Sequence, residues 1–403
     1  MNRCVIVGAG QAGLQIAESL RRGGFEGDLL LLGDEPTLPY QRPPLSKKYL
    51  LNEVDAARLL FRPAEHFAKL KVEVRLATQV IRLERAAHEL VLADGTRVTY
   101  DRLALTTGAR VRLLSVPGAA DSRVCYLRGL ADAERIRLQL ASARRVVIIG
   151  GGFIGLEVAA IARHLSKEVT VIEAQSRVLQ RVVAPAISSY FHALHTGHGV
   201  RILLDQQVNH LLHTAECTTV VTNDGTQVAA DLIVVGIGVV PNVELAEAAG
   251  LDCNAGIVVD EFACTSDPAI VAAGDCTRHR NLLYALPHRL ESVQNAVDQA
   301  KVAAGTMLGA PLAYAQVPWF WSDQYAVKLQ MVGISTGYDD LVLRGVPGGD
   351  GFSAFYFAGE RVIAVDSINR PAEHMAARKL IAAGGQCTKA QVADLATDLK
   401  SIL

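Results

Sequence analysis

Gly8, Gly10 and Gly13 stand in G-x-G-x-x-G spacing directly after the β-rich run Val5–Val7. That pattern cradles a pyrophosphate. The first glycine permits a tight turn, the second lets the backbone approach the phosphates, and the third lets helix and strand pack closely. The helix that follows offers unpaired N–H groups and the positive end of its dipole. Asp34, 21 residues beyond Gly13, closes the next apolar run and can accept ribose hydroxyls. The arrangement recurs at Gly150, Gly152 and Gly155, after Arg145–Ile149, with Glu173 18 residues beyond Gly155. One such turn is weak evidence. Two, each between strand and helix and each followed by an acid, point to two dinucleotides exchanging a hydride.

Other reactive residue types lack a working arrangement. The seven cysteines, at 4, 125, 217, 253, 264, 276 and 387, form no C-x-x-C pair. This argues against a disulfide framework and a structural zinc site. Cys276 adjoins Asp275 and reads as a buried small residue. His192, His195 and His198 recur at a spacing of three, which on a helix drifts around the axis by about 300° per step. Neither they nor His210 and His213 are expected to hold a metal. No Ser-His-Asp set or carboxylate pair stands out.

The elements that must position the two turns repeat as well. Asp94-Gly95-Thr96 is matched by Asp224-Gly225-Thr226, and Val98, Asp101, Leu103, Leu105 and Gly108 by Val228, Asp231, Ile233, Val235 and Gly238, all at an offset of 130. The glycine turns are offset by 142, so the first module carries 12 extra residues. The segment around Arg42–Lys47 is the expected site of that elaboration. Each Asp-Gly-Thr reads as a hairpin turn.

The chain has 403 residues, which suggests two to four domains at roughly 100–200 residues each. It is 50% hydrophobic and 20% charged, enough to build sizeable cores and to exclude disorder. A net charge of −1 gives no footprint for nucleic acid or for an anionic membrane surface. The uncharged stretch Leu232–Val243 is 12 residues with a proline inside, against the roughly 20 that a membrane span needs. The N-terminus enters an apolar strand at once, without a signal-peptide pattern. A soluble, cytoplasmic protein is the expectation.

Four segments carry a family resemblance: Arg42-Pro43-Pro44-Leu45-Ser46-Lys47; Gly150 to Glu157; Thr265-Ser266-Asp267-Pro268 with Ala272-Ala273-Gly274-Asp275; and Pro318-Trp319-Phe320-Trp321-Ser322-Asp323-Gln324. Over essentially its whole length the chain resembles the FAD-dependent ferredoxin reductases of oxygenase systems, the putidaredoxin and rubredoxin reductase type, with apoptosis-inducing factor a wider relative. The resemblance implies an α/β fold with two Rossmann-like dinucleotide-binding domains, for FAD and NAD, in the glutathione-reductase-like arrangement. A small C-terminal α+β interface domain follows. The implied division is 1–110 and 243–320 for FAD, 111–242 for NAD, and 321–403 for the interface domain.

The same resemblance implies FAD contacts from Gly8, Gly10, Ala12, Gly13, Asp34, Arg42, Lys47, Val80, Arg128, Asp275, Val293 and Trp321. It implies contacts to the nicotinamide nucleotide from Gly150, Gly152, Phe153, Ile154, Gly155, Glu157, Glu173, Arg177 and Gly238. Lys47 beside the flavin and Glu157 facing the nicotinamide are the implied catalytic pair, acting by electrostatics, with Phe153 covering the flavin. A carboxylate at Glu173 accepts from a free 2′-hydroxyl and repels a 2′-phosphate, so NADH is expected over NADPH despite Arg177 nearby. Disulfide-reducing members carry a dithiol in the first module, where this chain has Arg42, Pro43, Pro44 and Lys47.

Beyond residue 320, Phe352–Phe357 and Arg361–Ile368 read as strands. Pro371–Ala383 reads as a helix closed by Gly384, and a last helix is expected from Thr388 with Leu395, Leu399 and Ile402 on one face. Lys301, Arg289, Lys328 and Arg344 are candidates to steer an acidic partner. The implied function is NADH:ferredoxin reductase. NADH gives a hydride to FAD, which passes single electrons to a small iron–sulfur ferredoxin serving a terminal oxygenase. A monodehydroascorbate- or quinone-type reductase and a redox-responsive interaction flavoprotein remain alternatives. The oligomeric state is left open.

Overall fold

The computed structural model describes residues 2–284 and 287–402. The chain forms two compact units. The first comprises the chain up to Gln41, Leu59–Arg110 and Val240–Phe320; the second comprises Arg42–Arg58, Val111–Val239 and the chain from Trp321.

The first unit is built on a five-stranded sheet in the order Ile270–Ala272, Arg102–Leu105, Arg3–Val7, Asp28–Leu32, Val72–Arg75. All four pairings are parallel. Parallel strands covered on both faces read as continuous apolar runs, as Cys4–Val7 and Leu29–Leu32 do. Cys4, Ile6, Leu29 and Leu31 join the helices Gln11–Arg22 and Val293–Met307 in one core cluster. Val5, Val7, Leu30 and Leu32 pack on the other face with Leu83, Leu90 and Val98 of an antiparallel three-stranded sheet.

The second unit repeats the plan. Its parallel sheet runs Arg201–Leu203, Glu168–Ile172, Arg145–Ile149, Leu232–Val235, Val124–Tyr126. In both sheets the strand leading into a glycine turn is central, flanked by the strand that ends near an acid. Open α/β sheets bind ligands at the carboxyl ends of such strands. The duplication extends to single bonds. Asp101 Oδ2 accepts the amides of Asn2 and Arg3 (2.5 and 2.9 Å), and Asp231 Oδ2 accepts those of Arg144 and Arg145 (3.0 and 2.8 Å). Asp94 and Asp224 each accept the amide of the threonine two residues on, at 2.9 Å. Both hairpin sheets shift register at one place, at Val80/Arg82 and at Val208/His210. The offset falls from 140 at Asp28/Glu168 to 129 at Val72/Arg201, so the extra residues of the first module lie around Arg42–Arg58. That segment packs with the second unit.

The C-terminal sheet runs Trp319–Gln324, Val327–Gly333, Arg361–Ile368, Phe352–Ala358, Asp340–Gly345, and is packed by the helix Pro371–Ala382. The expected last helix is broken. It spans only Lys389–Ala393, and a separate 3₁₀ turn covers Leu399–Ile402. Asp394 stops it by accepting from the Ala396 amide and the Thr397 hydroxyl. The Arg344 guanidinium, buried and paired with Glu373, collects the carbonyls of Val392, Asp394, Leu395 and Thr397. Arg344 therefore cannot steer a partner, contrary to the expectation from sequence. No helix among the described residues is long and apolar enough to cross a membrane.

Candidate functional site

In the first unit Gly8 has φ +111°, and a Cβ there would sit 2.1 Å from the Thr106 carbonyl oxygen. A Cβ on Gly13 would sit 2.0 Å from the Gly8 oxygen. Around Gly10 nothing lies within 4 Å. The first and third glycines are needed by the fold, while the second faces open space that a phosphate can enter. The second unit divides the tasks in the same way. Gly150 has φ +106° and meets the Gly236 oxygen at 2.4 Å, Gly155 meets the Gly150 oxygen at 2.2 Å, and Gly152 has only the Gly236 oxygen, at 4.0 Å. Both turns fit a dinucleotide pyrophosphate approaching the following helix N-terminus.

Around the first turn, Asp34 is exposed, and no hydrogen bond or ion pair engages its carboxylate among the described residues. Ala12 is buried on the helix, and a Cβ on Gly274 would lie 3.3 Å from its Cβ. Gln299 Oε1 accepts the Gly274 amide and the Thr277 hydroxyl (both 2.9 Å), fixing the turn that carries Asp275. Val293 opens the helix capped by Ser292. Val80 is half-buried against the core of the hairpin sheet. Cys276 is fully buried, and desolvation pushes its thiol up, so it is no nucleophile.

In the second unit the helix starts at Phe153, directly after Gly152, whose extended conformation makes it the N-cap. Glu157 thus lies in the second turn and is buried. Its Oε1 meets Lys47 Nζ at 3.0 Å and accepts the Ser322 hydroxyl at 2.6 Å; its Oε2 accepts the Ser46 hydroxyl at 2.5 Å. The Arg42–Arg58 segment and the Pro318–Gln324 motif thereby meet on one carboxylate. Three donors, one ammonium and two hydroxyls, thus fix the Glu157 carboxylate in place. Ser46 and Ser322 lie within motifs legible in the sequence, yet their convergence on Glu157 is a long-range contact that spacing cannot show.

Arg42 donates to the Arg128 carbonyl at 3.0 Å, and Asp132 accepts the amides of Arg128 and Gly129. Glu173 Oε2 accepts the Gly151 amide at 2.6 Å and its Oε1 the Gln175 amide at 2.8 Å. Arg177 donates to the carbonyls of Val183 and Gln180. Arg181, which the sequence reading missed, is exposed, with Nη2 3.6 Å from where a Cβ on Gly238 would lie. Its signal was position alone, eight residues past Glu173. Phe153 and Trp321 are half-buried, and Ile154 is exposed. Among the described residues no cluster of His, Cys, Asp or Glu suits a metal. Of the candidate steering residues, Lys301 pairs with Asp298 and Arg289 with Glu291, while Lys328 is exposed.

Residues 2–300 match the pyridine nucleotide-disulphide oxidoreductase family, and residues 319–403 match the reductase C-terminal family. The rhodocoxin reductase of Rhodococcus erythropolis is 48% identical over 398 residues, covering 98% of this chain and 93% of that protein. The ferredoxin reductase for the CYP199A2 system of Rhodopseudomonas palustris superposes with a TM-score of 0.97 at 44% identity, covering all of both chains. The reductase in the covalent putidaredoxin reductase–putidaredoxin complex superposes with a TM-score of 0.97 at 42% identity, covering 100% of this chain and 98% of that one. With both glycine cradles in place and three quarters of its length matched, the chain belongs to the pyridine nucleotide-disulphide oxidoreductase family.

Proposed function

We propose that the chain is an FAD-containing NADH:ferredoxin reductase supplying single electrons to a small iron–sulfur protein of an oxygenase system. One observation carries this reading: two glycine cradles of the same geometry share a chain whose first module places Lys47, paired with buried Glu157, where disulfide-reducing members hold a dithiol. Relatives matched over nearly the whole length include a rhodocoxin reductase and the ferredoxin reductase of the CYP199A2 system, which supports the same acceptor class.

In this reading Gly8, Gly10, Ala12, Gly13, Asp34, Arg42, Lys47, Val80, Arg128, Asp275, Val293 and Trp321 hold FAD. Gly150, Gly152, Phe153, Ile154, Gly155, Glu157, Glu173, Arg177 and Gly238 hold NADH, joined by Arg181 as a counter-charge to its phosphates. When bound, the flavin converts the electron pair of NADH into single electrons. The first cradle fixes a pyrophosphate through open backbone at Gly10, and Asp34 accepts from ribose. The second does the same at Gly152, and Glu173 selects a free 2′-hydroxyl. Lys47 supplies positive charge beside the flavin, and Glu157 limits that charge and orients the ammonium. Residues 321–403 form the docking segment, after FAD segments 1–110 and 243–320 and the NAD segment 111–242.

The test is direct. The purified protein is expected to be yellow, to be bleached anaerobically by NADH, and to reduce cytochrome c rapidly only when a ferredoxin is added. Rapid turnover with a quinone or monodehydroascorbate and none with any ferredoxin would make it a small-acceptor reductase. Slow turnover with an NADH-dependent change of mass would make it an interaction flavoprotein. A colourless protein that takes up no flavin would overturn all three.

A further inference from the structure

Behind Glu157 runs a chain of buried polar side chains that the reaction as described does not use. The strand Trp319–Gln324 alternates faces, so Ser322 and Gln324 share one face, opposite Trp321 and Asp323. Both are fully buried, as is His195 on the helix Pro185–Gly197. The distances run in series. His195 Nε2 lies 2.8 Å from Gln324 Oε1, Gln324 Nε2 lies 3.1 Å from Ser322 Oγ, and Ser322 Oγ lies 2.6 Å from Glu157 Oε1.

The donor directions follow from the end of the series. The carboxylate can only accept, so Ser322 donates to it. The Ser322 oxygen then accepts from the Gln324 amide nitrogen, which leaves Gln324 Oε1 facing His195 as an acceptor. His195 must therefore carry its proton on Nε2, leaving Nδ1 toward the Tyr325 hydroxyl at 3.4 Å. Every donor points the same way, toward Glu157. In a dry interior such bonds polarise one another. Burial lowers the His195 pKa to about 4, so the ring is neutral at ordinary pH and the series moves no charge.

We propose that Ser322, Gln324 and His195 are positioning residues that hold the Glu157 carboxylate oriented and solvated from behind, so that it presents a fixed partner to the Lys47 ammonium. Ser46 does the same for Oε2. The proposal rests on the reading that Glu157 faces the nicotinamide. It accounts for two features left over from the sequence: the Ser and Gln of the Trp-Phe-Trp-Ser-Asp-Gln motif, and the middle histidine of the run His192, His195, His198.

The test uses the flavin-loaded protein with Ser322→Ala, Gln324→Met and His195→Phe, plus Ser322→Thr, which keeps the hydroxyl. Ser322→Ala and the near-isosteric Gln324→Met change little volume and keep the test available if His195→Phe fails to fold. Single-turnover flavin reduction by NADH is expected to fall about tenfold in Ser322→Ala, the loss of one hydrogen bond to a charged group. A smaller fall is expected in Gln324→Met and His195→Phe, and recovery in Ser322→Thr. In a Glu157→Gln background the same substitutions are expected to cost nothing further; a merely structural role would cost the same in both backgrounds, and that result overturns the proposal. A second readout needs no turnover. The infrared carboxylate band that Glu157→Gln abolishes is expected to shift in Ser322→Ala and, less, in His195→Phe, and an unmoved band also overturns the proposal. If Glu157→Gln itself reduces flavin at the parent rate, the placement of Glu157 at the nicotinamide fails and the kinetic half of the proposal with it. The band shift then decides separately whether the series grips the carboxylate.

Discussion

Glu173 binds two backbone amides at once, Gly151 with Oε2 and Gln175 with Oε1. It therefore shapes the second glycine turn as well as the space a ribose would occupy. Arg177, the other cation near Glu173, donates to the carbonyls of Val183 and Gln180, which fixes its guanidinium in the loop beside the cradle. Arg181 is the exposed cation near Gly238. In Glu173→Ser the ratio of kcat/KM for NADH to that for NADPH is expected to fall at least about tenfold, since one lost charged hydrogen bond and one removed repulsion act in the same direction. Steady-state kinetics with both nucleotides check this, and an unchanged ratio would remove Glu173 as the selector. The same variant is expected to lose about 1–2 kcal/mol of stability, because two amides lose a charged acceptor.

Strand, turn and helix form one element in each cradle, and their three glycines are not equivalent. Gly152→Ala places its methyl in open space at φ −82°, which alanine accepts, whereas Gly155→Ala drives a methyl to 2.2 Å from the Gly150 oxygen. Gly152→Ala is expected to melt within a degree or two of the parent yet raise the KM for NADH about tenfold or more, by blocking close approach of the pyrophosphate. Gly155→Ala is expected to lose about 2–4 kcal/mol, because helix and strand must separate. Thermal melts beside kinetics check the pair; equal melting losses would show that the two positions share one role. These elements were legible in the sequence because their signals are local: glycine spacing, apolar runs, Asp-Gly turns and an acid at a set distance. What escaped was long-range. Nothing local shows that Arg344 would leave the surface to gather four carbonyls, or that Asp394 would break the last helix. Nor does spacing reveal that Ser46, Ser322, Gln324 and His195 converge on Glu157, because that meeting joins segments more than a hundred residues apart.

At the scale of the whole molecule, three strongly shifted histidines and one buried carboxyl among the described residues make opposed contributions to the acid response of folding. Burial lowers His195, His279 and His374 to about 4 each and raises Asp366 to about 7. Unfolded values are about 6.5 for histidine and 3.9 for aspartate. A lowered histidine gives stability that is present above about 6.5 and lost as pH falls through the folded value. A raised carboxyl gives stability that is present below about 3.9 and lost as pH rises through 7. Between about pH 4 and 6.5 unfolding thus takes up three protons at the histidines and releases one at Asp366. For these four groups the net of two corresponds to about 2.7 kcal/mol lost per unit of acidification. The melting temperature is expected to be flat above pH 7 and to fall steeply below 6.5. Asp366 opposes that fall because burial raises its carboxyl, although it accepts the Tyr356 hydroxyl at 2.5 Å, to which the Ala184 amide donates in turn. Asp366→Asn keeps an acceptor for Tyr356 and removes the ionisation. It is expected to melt well above the parent at pH 8, by an amount on the order of 4 kcal/mol before relaxation, and close to it at pH 4.5. Melting curves of both proteins across that range decide the matter: a gap that does not open with rising pH would mean that Asp366 carries no raised pKa and that the three histidines act unopposed.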